Sequence, residues 1–143
     1  MFGIILAIIS GISMSFQGVF NTRLGEKIGV WETNVIVQLT GLIITALITF
    51  AFGKGNFKEV FNSNKVYLLG GVLGVIIIFT VMQAMGTLGP TYAVGIILIS
   101  QLIAAAAIEY FGLFGTEKIN FTLKEFIGVA LMIIGIIVFK WKH

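Results

Sequence analysis

Six amide side chains, Gln17, Asn21, Asn34, Gln38, Gln83 and Gln101, lie within or at the edges of long apolar stretches. An amide donates and accepts hydrogen bonds but does no covalent chemistry unaided. Left unpaired in an apolar medium it costs roughly 2–7 kcal/mol, so these groups are expected either to bond one another across helices or to face a water-filled cavity. The cavity would bind a polar solute, with Ser13 contributing beside Gln17. Trp31 and Tyr92, near the ends of apolar stretches, either close such a site or serve as interfacial aromatic anchors. Glu109 is the carboxylate that follows a long apolar run; Glu26, Glu59, Glu117 and Glu125 fall in expected loops and Glu32 at a helix entrance. Glu109 either couples an ion to transport or is a carboxylate at the membrane interface.

Covalent chemistry finds no support. There are no cysteines, and the sole histidine is His143, the last residue, so neither a nucleophile–histidine pair nor a histidine metal site is expected in the core. The stretch from Gly112 to Lys118 has glycines and a lysine without phosphate-loop spacing. No enzyme activity, cofactor or metal is expected. The nine basic residues are scattered among loops, which argues against nucleic acid, whose binders concentrate charge on one face.

The elements that position the amides follow from composition. With 58% hydrophobic and 10% charged residues and a mean hydropathy of +1.08, the chain departs far from soluble proteins, which carry about 25% charge. A helix needs about 20 apolar residues to cross a bilayer. The runs predict a single transmembrane domain over 1–143, all-α, with five helices at about 2–21, 31–52, 66–86, 91–111 and 123–141. The first run, without a basic segment before it, is expected to remain as the first span. Gly86 to Pro90 predicts a tight break between the third and fourth helices. Phe126 to Phe139 gives the fifth only 14 uncharged residues, so Lys124 and Lys140 must snorkel outward for it to cross. Phe57 and Phe61, beside Lys58, suit either an interfacial helix or a solvated loop.

Charge and span count are linked. With five spans, Lys54, Lys58, Lys65, Lys118 and Lys124 share one side, and Arg23, Lys27, Lys140 and Lys142 the other, five against four. So even a split gives little instruction on orientation. Dual insertion and an antiparallel dimer, a two-chain version of an inverted repeat, are expected; a fixed orientation set by the first helix is the alternative. Small residues at helical spacing, Gly11 and Gly18, Gly71 and Gly74, Gly128 and Gly135, are expected at helix-packing faces, since small side chains let backbones approach in lipid.

The segment from Gln17 to Gly25, the glycine-rich start of the third helix, and Gln101 with Glu109 to Gly115 resemble the YdcZ-type branch of the drug/metabolite transporter superfamily, over essentially the whole chain. The resemblance implies a multi-pass bacterial inner-membrane exporter of small molecules, a half-size unit that pairs to match ten-helix relatives. Ser100 stands where this branch usually has glycine, and Glu109 where it has aspartate. Unlike the small multidrug exporters, the first helix has no carboxylate, which argues against their route of proton coupling.

Together these features predict a secondary transporter, homodimeric or heterodimeric with a homologue, surrounded by lipid and working by alternating access. Gln17, Asn21, Asn34, Gln38, Gln83 and Gln101 would line its solute site. Two other readings stay open: a non-transporting assembly or regulatory subunit, and a passive channel, to which the glycine-rich third helix gives some support.

Overall fold

A computed structural model describes residues 1–141; Lys142, counted in the charge balance, and His143 lie outside the described residues. The described chain is all-α, with five helices: α1 (Phe2–Ile28), α2 (Val30–Phe52), α3 (Gly70–Leu88), α4 (Pro90–Phe111) and α5 (Leu123–Lys140). In lipid a segment must satisfy its own backbone, and helices do so residue by residue. By length and composition α1, α2, α4 and the stretch Lys65–Leu88 containing α3 can cross a membrane. Their apolar side chains face outward: Ile4, Phe20, Leu42 and Leu47 are 64–66% exposed, as lipid-facing residues are. α5, at 18 residues, carries Lys124 and Glu125 at its start and Lys140 at its end. The chain divides into two compact units, Met1–Thr87 and the part from Leu88 onward.

In the first unit, α1 runs seven residues past its expected end at Asn21. No proline intervenes, the Thr22 hydroxyl donates to the Gly18 carbonyl at 2.8 Å, and Arg23 pairs with Glu26 at 3.0 Å one turn on. A 27-residue helix is about 40 Å long against a ~30 Å hydrocarbon layer, so the charged last turns reach beyond it. What divides α1 from α2 is Gly29 alone, at φ 101° and ψ 151°. Its N–H donates to the Gly25 carbonyl (3.0 Å), and its own carbonyl accepts from the Thr33 N–H (3.1 Å) and hydroxyl (2.8 Å). The hinge thus caps both helices with its own peptide groups.

The segment after α2 forms two 3-10 helices, Phe57–Phe61 and Lys65–Leu69, each started by an asparagine, Asn56 and Asn64, whose side chain accepts a backbone N–H two residues on. Phe57 and Phe61 are 81% and 87% exposed.

α3 packs its C-terminal half on α1 and its N-terminal half on α2. Met85 and Val81 cover Gly18, Met82 covers Gly25, and Gly86 lies beside Thr22. Further back, Phe79 stacks on Trp31 with ring centroids 4.7 Å apart, and Gly74 meets Gln38. The two methionines are 4% and 3% exposed, and their unbranched thioethers fill the space that the glycines leave. A Cβ on Gly18 would overlap the Met85 methyl and stand 3.2 Å from Val81 Cγ1. Gly18→Ala is expected to be tolerated, because a thioether end swings aside, whereas Gly18→Leu should cost about 2–3 kcal/mol. Thermal unfolding in detergent reads this, and Met85→Ala in the same chain should recover part of the loss.

In the second unit Pro90 occupies the first turn of α4, where its missing N–H costs nothing, and Gly89 (φ 80°) breaks the chain before it. Gly112, left-handed at φ 63°, ends α4, and the following loop folds back so that Ile119 N–H donates to the Glu109 carbonyl at 3.1 Å. Thr122 and Glu125 form a reciprocal capping box at the start of α5. α5 lies on α4 with Ile136 against Gly95, and the Lys140 ammonium sits 4.1 Å over the Tyr92 ring.

Candidate functional site

Hydroxyls inside the helices satisfy themselves. Thr22, Thr40, Thr45, Thr80, Thr87 and Ser100 each donate to the carbonyl four residues back in their own helix, and Thr33 to that of Gly29 just before its helix, at 2.7–2.9 Å. The amides behave differently, and that difference locates the candidate site.

On α1, Gly18, Asn21 and Gly25 follow three- and four-residue spacing and share the face that meets α3. Asn21 is therefore held between two points of close approach; it is 7% exposed, and its amide has no hydrogen bond with another described residue. On α2, Trp31, Asn34 and Gln38 share the other face that meets α3. Asn34 is 3% exposed, and its Nδ2 donates to the Val75 carbonyl of α3 at 2.9 Å. Its Oδ1 is sealed from solvent and accepts no hydrogen bond. Turning the amide over would set oxygen against the Val75 oxygen, so the acceptor end is the one left free. Such an orphan costs about 1–3 kcal/mol. Gln38, half-buried, brings its Nε2 within 3.2 Å of where a Gly74 Cβ would stand, so glycine is what admits the amide there.

Asn21, Asn34 and Gln38, with Trp31, thus gather around α3. Asn34 and Gln38 stand about 7 and 13 Å along α2 from Gly29, against Val75 and Gly74, while Asn21 is on the α1 face that meets the C-terminal half of α3. Ser13, Gln17 and Gln83 are exposed on α1 and α3 outside it. Gln101, also exposed, Tyr92 and Glu109 are on α4 in the second unit. Tyr92 carries the Lys140 ammonium, and Glu109, half-buried, stands in the last turn of α4. Of the small residues expected at packing faces, Gly18 and Gly74 are at close approaches, while Gly11, Gly71, Gly128 and Gly135 face open space in the single chain. No group of three or more acidic or histidine side chains is placed to hold a metal among the described residues.

Sequence reasoning passed over Thr33, fully buried beside Gly25, and the methionines Met82 and Met85. The signal for Thr33 was its four-residue spacing from Gly29 and Gly25; for the methionines it was their three-residue spacing on a helix otherwise filled with branched side chains.

The family described as "Putative inner membrane exporter, YdcZ" matches residues 2–138. No curated protein and no solved structure matches the chain.

Proposed function

From the premise that this chain belongs to the YdcZ family of inner-membrane exporters and is a multi-pass inner-membrane protein, we propose that it is a secondary exporter of small polar solutes. It works by alternating access as an antiparallel dimer, two half-size copies forming an inverted repeat of the drug/metabolite transporter kind. The observation that carries this reading is that Asn34 and Gln38 meet α3 side by side, at Val75 and Gly74, with Asn21 buried on the α1 face that meets the same helix, inside helices whose other faces are apolar and outward. Amides held there without mutual hydrogen bonds are uncommitted to one another, and a helix movement that opens the packing at α3 would expose them to a solute. The Gly29 hinge gives α1 and α2 a point about which to move, and Gln17, Gln83, Gln101 and Ser13 line the path once a second copy is present. Glu109 is the candidate for ion coupling.

The test is the small polar metabolite content of the medium from cells expressing the chain, compared with cells expressing Gln38→Leu. At least one solute is expected to accumulate several-fold over cells without the chain, and its rate of export to fall about tenfold in the variant, the loss of one solute hydrogen bond. Both must be present in the membrane as folded protein, shown by equal detergent-extracted yield and melting temperature. Media of cells expressing the native chain identical to those of cells without it would reject the exporter reading, and media identical between the native chain and Gln38→Leu would reject the role of Gln38. Capture of a larger membrane protein in stoichiometric amount would then favour the subunit alternative.

A further inference from the structure

Within the proposed transport site, and resting on that reading, we infer that Asn34 selects solutes by their hydrogen-bond donors: it accepts an N–H or O–H through Oδ1 and rejects oxyanions. Three facts carry this. The donor end of the amide is spent on the Val75 carbonyl at 2.9 Å, an atom that only accepts, which fixes the orientation of the group. The acceptor end is buried and unpartnered. And the hydroxyl of the residue before it in sequence, Thr33, is committed to the Gly29 carbonyl at 2.8 Å.

A carboxylate or sulfate brings only more acceptor oxygen to this position, and a desolvated oxygen–oxygen contact is repulsive. An ammonium, an amide N–H or a hydroxyl completes the unmet bond and gains most because the site excludes water. As long as the Asn34–Val75 bond holds, the oxygen is what this side chain offers. The arrangement therefore discriminates by building a mismatch against the wrong class as well as a match for the right one.

The experiment is thermal unfolding of the full chain in lipid nanodiscs with matched small probes. Ethanolamine and acetamide carry donors, tetramethylammonium carries charge without a donor, and acetate and sulfate are oxyanions without one. Ethanolamine and acetamide are expected to raise the melting temperature, and the other three to leave it unchanged. In Asn34→Leu, checked for folding by its circular dichroism and elution volume, apparent affinity for the donors should fall about tenfold. Phe61→Leu, on the exposed segment after α2, should keep it. Should Asn34→Leu not fold, Asn34→Asp supplies the comparison, since a carboxylate there favours ethanolamine over acetamide. Stabilisation by acetate or sulfate, equal stabilisation by tetramethylammonium, no stabilisation by either donor, or an unchanged donor response in Asn34→Leu would each overturn the inference. Donor-selective stabilisation without any solute export would leave the inference standing and sink the exporter reading; export without donor selectivity would do the reverse.

Discussion

Gly29→Val is expected to abolish accumulation of the folded chain in the membrane. The residue sits at φ 101° and ψ 151°, a region open in practice to glycine alone, and a side chain there costs about 1–3 kcal/mol in backbone strain. A Cβ would also run into the Glu32 carboxylate, which folds back over the hinge. The larger consequence is that Gly29 by itself separates α1 from α2. A residue with ordinary preferences relieves its strain by turning helical, and α1 and α2 then fuse into a rod more than twice the ~30 Å hydrocarbon thickness. Such a rod cannot cross twice, so every later segment loses its place. The measurement is membrane-fraction yield together with size-exclusion behaviour in detergent. Gly29→Ala should show the same defect in weaker form, because alanine tolerates positive φ slightly better than a β-branched residue. A monodisperse Gly29→Val protein at native yield would show that the hinge does not set the α1–α2 fold.

The second large effect concerns orientation. A cysteine placed beside His143 is expected to be labelled in about half of the molecules by an impermeant thiol reagent applied to intact cells, because five basic residues oppose four across the membrane. Replacing Arg23 and Lys27 by glutamine leaves five against two. The side bearing Lys54, Lys58 and Lys65 should then stay in the cytoplasm, and labelling of the C-terminal cysteine from outside should rise to nearly all. Arg23 suits this test because its guanidinium pairs with Glu26 on an exposed turn, 3.0 Å apart, where loss of the pair costs little stability. Labelling confined to one side in the unmodified chain would mean a fixed orientation and would require an oppositely oriented homologue as partner. That outcome would reject the antiparallel homodimer while leaving export itself open. If α5 did not cross, the count would be seven against two and labelling would be one-sided from the start.

Much of the fold was legible in the sequence because lipid leaves the backbone few choices. Apolar runs of spanning length must be helical, and Pro90, Gly89 and Gly112 mark helix ends for reasons internal to those residues. The end of α1 was less legible. Charged Arg23, Glu26 and Lys27 read as a loop on hydropathy alone, yet they are good helix formers and continue the helix beyond the hydrocarbon until Gly29 stops it.

The candidate site was legible in kind but not in membership. Periodicity puts Gln17 and Asn21 on one side of α1, four residues apart, yet Asn21 is buried and Gln17 is exposed. In water, the apolar face of a helix announces which way is in. In lipid every face can be apolar, and association follows close fit and polar pairing, which depend on the partner helix. Composition and spacing by themselves determined a helical membrane chain with amides as its available chemistry. Which amides reach α3, with Asn21, Asn34 and Gln38 brought to it and the Asn34 oxygen left unpaired, was decided by the tertiary packing of glycines 18 and 25 against α3 and of Gly74 against Gln38. Close approach is a property of two surfaces, and a single helix's sequence describes one of them.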